Sequence, residues 1–205
     1  MPSALWIRGT VIAAAAIATG IVWVTGHGVD IPYIKALVTA SSVVTVAVFI
    51  YDSSAWRWPG VRRLTSRPVL HGTWKAELQT SFTSRATETI EAYLVVRQTF
   101  SRISVSMLFD RSRSRSMAGD LVFEDGTCVL YYLFRTEAGT LNRDGNPPAR
   151  GGAAVIVNRS PSMHLEGDYW TERETRGHVR TVGRTTKIYD TFSAAQSGTY
   201  ASAVH

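Results

Sequence analysis

The chain has one cysteine, Cys128, among its 205 residues. A single cysteine excludes an internal disulfide framework, and because it lies in an apolar, strand-like run we expect a buried thiol. The sequence also lacks a nucleophile elbow, a phosphate-binding loop, a dinucleotide fingerprint and any cluster of histidine, cysteine and carboxylate residues at metal-ligand spacing. We therefore expect neither an enzyme nor a bound metal or cofactor.

Two apolar runs stand near the N-terminus. The first, Leu5 to Val24, approaches the roughly 20 residues that a hydrocarbon core requires. The second, Ala36 to Tyr51, reaches that length only if Ile31 to Lys35 contribute. A short Gly/Pro segment joins them, which predicts a two-helix transmembrane hairpin over residues 1–52. A cleaved signal peptide is the alternative for the first run, but no Ala-x-Ala site follows it.

Basic residues set the predicted orientation. The segment between the apolar runs has no Lys or Arg, whereas Arg57, Arg62, Arg63 and Arg67 follow the second run. By the positive-inside rule both termini face the cytoplasm, and residues 53–68 form a basic juxtamembrane linker that contacts anionic lipid. The net charge of +6 also suits a nucleic acid or a small anionic ligand, so charge alone does not choose the partner.

No long amphipathic helix is indicated after Pro68, where short alternating runs are separated by Gly, Asn, Asp and Ser residues. Eight strands are predicted: His71 to Gln79, Ile90 to Thr99, Ile103 to Phe109, Ser112 to Glu124, Cys128 to Thr136, Gly151 to Asn158, Met163 to Glu172 and Gly177 to Thr185. Their short serial connections favour an all-β, eight-stranded antiparallel up-and-down barrel of the lipocalin-like kind over a sandwich. We expect this minimal β-barrel domain at residues 69–188 and a flexible tail at 189–205.

Two stretches could bind a ligand. In the seventh strand Tyr169, Thr171 and Arg173 share a face, and a ring, a hydroxyl and a guanidinium could stack a base and pair with phosphate. A well-packed tyrosine and a surface arginine explain the same pattern. In the fourth strand Ser114 and Ser116 alternate with arginines, which predicts either a polar barrel interior or a strand end in solvent.

The order of these features resembles one family, the membrane-anchored β-barrel effectors of bacterial CBASS anti-phage defence. The likeness is carried by Gly72-Thr73-Trp74, Arg97-Gln98-Thr99, Ser112 to Ser116, Leu130 to Phe134, Gly151 to Ala154, and Leu165 to Arg173 with Gly177. The resemblance implies a cytoplasmic barrel that binds a cyclic oligonucleotide, made by a partner CD-NTase nucleotidyltransferase. It further implies self-association into oligomers, disruption of inner-membrane lipids and abortive cell death, in a multi-pass protein of the bacterial inner membrane.

A cyclic di- or trinucleotide is therefore the expected ligand, and no DNA or RNA polymer is expected. It needs stacking rings, phosphate-binding cations and hydroxyl or amide groups. The candidate ligand-binding residues are Gln98, Ser114, Ser116, Tyr132, Tyr169, Thr171 and Arg173. Two alternatives stay open: a membrane-tethered, lipocalin-like carrier or sensor of an apolar ligand, and a structural subunit whose barrel is filled.

Overall fold

Strand-forming residues dominate the computed structural model, which describes residues 31–63, 67–81, 89–138 and 148–202 together with residues 12, 16, 23 and 65. In these residues the strands are β1 (Gly72–Thr80), β2 (Ile90–Gln98), β3 (Ile103–Leu108), β4 (Ser112–Glu124), β5 (Thr127–Ala138), β6 (Ala149–Asn158), β7 (His164–Thr171), β8 (Arg176–Thr185) and β9 (Ala201–Ser202). Each strand pairs with the next in chain order, and β1 also pairs with β8. This closure confirms the eight-stranded antiparallel barrel and rules out the sandwich.

Alternation along the strands places apolar side chains inside the barrel. Trp74 lies opposite Leu94, which lies opposite Met107, and all three belong to one continuous buried cluster. The β4–β5 register shifts between Ser116 and Ala118, so the strand carries a bulge at Met117. Because of this extra residue, Leu121 still points inward although it lies an odd number of residues after Ser114.

The contact pattern divides the chain into two units, and the first combines Met1–Arg67 with Thr99–Arg102. Its described helices are α1 (Ile31–Ser53), a 3-10 turn (Ala55–Arg57) and the short α2 (Pro59–Arg62). Phe100 packs its ring edge-on against Tyr51 and Trp56, at centroid distances of 5.0 and 6.0 Å. Trp56 has no exposed surface.

The predicted transmembrane hairpin is wrong. In the part of the chain that the structure describes, no helix is both long and apolar enough to span a membrane. In α1 the uncharged stretch between Lys35 and Asp52 is about 16 residues long and includes four Ser and Thr residues, whereas a hydrocarbon core requires roughly 20 predominantly apolar residues. The first predicted crossing, Leu5 to Val24, lies outside the described residues apart from isolated positions. The prediction of a multi-pass inner-membrane protein is wrong on the same finding.

The second unit, Pro68–Gln98 with Ile103–His205, contains the barrel and the C-terminal segment. Residues assigned from the sequence to a flexible tail form α3 (Phe192–Gln196) and β9, which pairs with β8. Phe192 and Tyr200 pack on the outward-facing ring of Tyr93, at centroid distances of 5.3 and 5.7 Å. The outer face of β2 is therefore covered by residues close to the C-terminus.

Candidate functional site

The barrel has two unlike ends. We define the lower end by the start of β1 and the end of β8, and the upper end by the end of β1 and the β7–β8 turn. At the lower end the guanidinium carbon of Arg184 lies 4.5 Å from the ring centroid of Trp74. Its Nη2 donates hydrogen bonds to the carbonyls of Val69 and His71, at 2.7 and 3.2 Å. Trp74, which has no exposed surface, thus packs beneath Arg184 at the lower end of the barrel.

Gln98 also lies at the lower end, away from the other predicted ligand-binding residues. Its Oε1 accepts a hydrogen bond from the backbone N–H of Leu70 at 2.7 Å, and its Nε2 donates one to the carbonyl of Pro68 at 3.0 Å. Only 3% of the residue is exposed. The amide therefore satisfies buried backbone groups that precede β1, and the structure does not bring it together with the rest of the predicted site.

The middle of the barrel is filled by aliphatic side chains. Leu94, Leu130 and Val155 have no exposed surface, and all three belong to the apolar cluster. The interior is hydrocarbon at this level. The polar side chains that could contact a ligand lie instead at the upper end.

Aromatic rings and hydroxyl groups occupy consecutive rows of the inner face at the upper end. Tyr132 and Tyr169 flank Ala153 in register, so β6 contributes only a methyl group between two rings. One step higher Phe134 and Thr171 flank Gly151 in the same way. A Cβ at Gly151 would lie 2.6 Å from Cζ of Phe134, so this ring needs a glycine beside it.

The serines of β4 complete these rows. Ser114 pairs with Thr136, and Ser116 pairs with Phe134. Ser114 is 6% exposed, whereas the Oγ of Ser116 accepts a hydrogen bond from the backbone N–H of Val105 at 2.8 Å. The second serine thus also satisfies a backbone group where the β3–β4 ladder ends at the bulge. The sequence predicted either a polar barrel interior or a strand end in solvent at these serines, and Ser114 faces the interior.

Both tyrosines keep their protons at neutral pH. Burial raises the pKa of Tyr132 far above its ordinary value. Burial also raises the pKa of Tyr169, and a hydrogen bond with Thr80 acts in the opposite direction. Each phenol is therefore a neutral hydroxyl that can donate a hydrogen bond to a phosphate or base acceptor.

Arg173 lies in the β7–β8 turn and not on the β7 face, because the strand ends at Thr171. The N–H of Thr171 donates to the carbonyl of Thr175 at 2.9 Å, and Oγ1 of Thr171 accepts from the N–H of Arg173 at 3.3 Å. Glu174 has φ +61°, the left-handed conformation that closes the turn. The turn therefore places Arg173 beside the upper end by a route that strand alternation does not predict.

An open pocket of about 740 Å³ lies at the upper ends of β7 and β8. Pockets of roughly 300–1,000 Å³ accept drug-sized ligands. Its lining contains two predicted residues, Tyr169 and Thr171, together with Asp168, Trp170, Glu174, Arg176 and Gly177. The structure thus brings rings, a hydroxyl and a cation together on the outer rim of the upper end.

Sequence reasoning missed Thr80, Trp170 and Arg176. Trp170 alternates with Tyr169 and therefore lies on the opposite face of β7, yet the pocket extends over both faces where the strands end. Thr80 and Arg176 are brought to the site by pairing of β1 with β8, in which Thr80 lies opposite Gly177 and Ser81 Oγ accepts from the N–H of Arg176 at 2.9 Å. Barrel closure is the only signal that could have placed them.

A closed eight-stranded up-and-down barrel, with an aliphatic interior and polar groups at its upper end, defines a minimal β-barrel protein. Residues 65–182 match the family model described as Cap15, cyclic dinucleotide receptor domain. Since this match spans more than half of the chain, the protein belongs to that family. It is also similar to the CD-NTase-associated protein 15 of Staphylococcus schleiferi, with 28% identity over 159 residues, 78% of this chain and 81% of that protein. The resemblance to CBASS receptor barrels is confirmed at the level of the family.

Proposed function

We propose that this protein is a CBASS effector whose barrel binds a cyclic dinucleotide at its upper end. The family match is the observation that carries the proposal, because the matched residues include β1 to β7 and β8 as far as Val182. The distribution of polar groups supports it. Hydroxyls and rings from β4 to β7 meet at one end of an otherwise apolar barrel, where a ligand with two bases and two phosphates would find stacking and hydrogen-bonding partners.

Isothermal titration of the full chain with a panel of cyclic di- and trinucleotides tests the proposal. We expect saturable heat with at least one cyclic dinucleotide and none with linear mononucleotides. Recovery of the bound nucleotide unchanged, measured by chromatography after prolonged incubation, would agree with a receptor that is not an enzyme. No heat with any member of the panel would contradict the proposal.

Association of chains, disruption of membrane lipids and abortive cell death are the output that the family resemblance implies. They stay predictions, since no spanning helix supports them in the described residues. Dye release from vesicles of bacterial lipid, with and without the cyclic dinucleotide identified by titration, tests the membrane step. We expect a CD-NTase of the same system to make the nucleotide. Testing whether the product of the purified synthase binds this protein checks that expectation.

An apolar-ligand carrier is the alternative to a nucleotide receptor. The structure does not favour it, because the aliphatic side chains in the middle of the barrel, among them Leu94, Leu130 and Val155, have no exposed surface that could contact such a ligand. Competition separates the two functions: a fluorescent fatty acid that binds the full chain and is not displaced by any cyclic nucleotide would favour the carrier.

A further inference from the structure

One row of residues on the inner face runs from β4 across β8 to β1. Strand pairing places Gly119, Tyr132, Ala153, Tyr169 and Gly177 side by side on β4 to β8. The next residue of this row, across the junction of β8 with β1, is Thr80. We call these six residues the tyrosine row. Each of its two tyrosines lies between residues no larger than alanine, so neither ring meets a large neighbour within the row.

The rows on either side of the tyrosine row differ in polarity. The row below consists of Gly167 and five buried aliphatic residues, Leu121, Leu130, Val155, Val179 and Leu78. The row above contains the ring of Phe134 and the hydroxyls of Ser116 and Thr171. The tyrosine row is therefore the floor on which a ligand at the polar upper end would rest.

The ring of Tyr169 lies along this row. A Cβ at Gly177 would be 2.5 Å from the phenol oxygen of Tyr169, so the ring extends from β7 over the backbone of β8. Thr80, which is buried, is the next residue beyond this glycine. The hydroxyls of Tyr169 and Thr80 form a hydrogen bond. This bond crosses the junction at which the first and eighth strands close the barrel.

The effect of this bond on Tyr169 shows which hydroxyl donates. Burial raises the pKa of Tyr169, and the bond with Thr80 lowers it. A hydrogen bond lowers the pKa of a phenol when it is donated to the phenol oxygen, because the donor stabilises the phenolate. Thr80 is therefore the donor, and the neutral phenol keeps its own O–H. A hydroxyl that accepts a hydrogen bond is also a stronger donor, because bonds in a chain polarise one another.

The strands that carry these two rows offer a phosphate group neutral donors. From β4 to β8, neither the tyrosine row nor the row above it contains a Lys or Arg among the described residues. A phosphate oxygen that reaches this depth would therefore be met by hydroxyl groups. Because it is charged, it gains more from a polarised donor than a neutral base edge does.

We propose that Thr80 is a positioning residue for the ligand: it holds the ring of Tyr169 along the tyrosine row and leaves the phenol O–H to donate to a phosphate oxygen of a cyclic dinucleotide. Thr80 acts through Tyr169 and does not itself contact the ligand. The inference rests on the proposed function, and it identifies one donor at that site and the residue that orients this donor.

A double-mutant cycle tests the role of Thr80. The full chain is titrated calorimetrically with cyclic dinucleotides that combine adenine, guanine and uracil bases, and the tightest binder is used for all variants. Tyr169→Phe, which loses a bond to a charged acceptor, should weaken binding about 10- to 100-fold. Thr80→Val should weaken binding about 3- to 10-fold, since it removes a neutral hydrogen bond. The double variant should match Tyr169→Phe within about twofold, because Thr80 has no effect without the phenol.

Two further variants separate positioning from packing. Thr80→Ser keeps the hydroxyl and should bind within about twofold of the wild type. Thr181→Val is the matched control, since Thr181 is another buried threonine of β8 at the junction with β1, and its Oγ1 accepts from the N–H of Leu165 at 2.8 Å. It should lose stability and keep its affinity. Urea unfolding shows that each variant is folded, and Thr80→Ala replaces Thr80→Val in the cycle if the latter does not fold.

Phosphorothioate analogues of the same dinucleotide test the acceptor, because sulfur that replaces a non-bridging phosphate oxygen accepts hydrogen bonds weakly. With at least one stereoisomer the wild type should lose affinity while Tyr169→Phe loses none. Equal losses in both proteins for every stereoisomer would overturn the phosphate contact.

The outcomes separate Thr80 from the proposed function. Wild-type affinity in Thr80→Val, binding by Thr80→Ser as weak as that of Thr80→Val, or losses that multiply in the double variant would each overturn the role of Thr80. The proposed function would stand in all three cases. A wild type that binds no cyclic dinucleotide would overturn the proposed function and the inference with it.

Discussion

The guanidinium of Arg184 lies over the ring of Trp74, with 4.5 Å between the guanidinium carbon and the ring centroid. The two residues are direct partners in the pairing of β1 with β8. The contact therefore lies at the junction where the first and last strands of the barrel meet, and it joins the stability of the lower end to barrel closure.

Arg184→Ala is expected to destabilise the fold by about 2–4 kcal/mol. The variant loses charge-assisted hydrogen bonds to two backbone carbonyls, about 1.5–3 kcal/mol, and a cation–π contact of about 1 kcal/mol. Urea unfolding measures the change. Arg180→Ala on the exposed face of the same strand should change stability by about 0.5 kcal/mol or less. Equal effects of the two variants would contradict the role given to Arg184.

Gln98→Ala should reduce stability and leave nucleotide affinity unchanged. The substitution removes the hydrogen-bond partner of two backbone groups, the N–H of Leu70 and the carbonyl of Pro68. Each buried group left without a partner costs about 1–3 kcal/mol. Thermal unfolding and titration with the cyclic dinucleotide that binds the wild type give the two readouts. A variant of wild-type stability with lost affinity would instead return Gln98 to the ligand site.

Tyr132→Phe should weaken cyclic dinucleotide binding about 3- to 10-fold with little change in stability. It removes one neutral hydroxyl, whose hydrogen bond is worth about 0.5–1.5 kcal/mol, and keeps the ring that packs 5.9 Å from Phe134. Tyr131→Phe is the matched control, since the neighbouring ring is exposed on the outer face. If both variants bind like the wild type, the hydroxyl of Tyr132 is not a ligand contact.

Phe192→Ala should destabilise the protein by about 1–3 kcal/mol, because it uncovers the apolar cluster of Tyr93, Val95 and Leu108. Asp190→Asn should cost about 0–1 kcal/mol. That substitution removes an ion pair with Arg97 whose side chains are 40% and 74% exposed, and solvent screens such pairs. Chemical unfolding compares the two variants. A larger effect of Asp190→Asn would show that the ion pair, and not the packing, holds the C-terminal segment.

Stability should depend on pH through His178. Its Nδ1 lies 2.8 Å from Oδ1 of Asp168, and this hydrogen bond, followed by one to Glu166, raises the pKa of His178 above 6.5. A pKa raised by folding stabilises the folded state most below the unfolded pKa of about 6.5, and the contribution is lost as pH rises through the folded pKa. The free energy of unfolding of the wild type should therefore gain a contribution from His178 as the pH falls from 8.5 to 6. His178→Gln should lack this contribution and gain less stability over the same pH range. Melting temperatures at both values test this, and an equal gain in wild type and variant would contradict it.

Much of the barrel could be predicted from the sequence because its information is local. Alternation in Ile103 to Phe109 and the hairpin signal at Asp125 and Gly126 fix strands and turns without knowledge of the rest of the chain. The pairing order follows from short connections. Thr80, in contrast, reaches Tyr169 only through closure of β1 with β8, which no local pattern encodes.

The differences between sequence and structure have physical reasons as well. Apolar length predicted a spanning helix at Ala36 to Tyr51, extended by Ile31 to Lys35, but Ser and Thr residues and two terminal charges limit the apolar part of this helix. Residue type predicted Gln98 as a ligand contact, which stays a prediction, and the structure shows its amide bonded to buried backbone groups. Small and polar residues after Tyr189 predicted a flexible tail, yet Phe192 and Tyr200 supply aromatic packing that composition averages conceal.

Closure of the sheet also brings the two ends of the barrel segment together. The hydroxyl of Thr73 donates to the carbonyl of Lys187 at 2.8 Å, so the residues that enter and leave the barrel are direct neighbours. Adjoining ends of this kind permit circular permutation. A short linker could join them while the chain is reopened at the Asp125–Gly126 hairpin, and every strand would keep its register with new termini at the sealed end of the barrel.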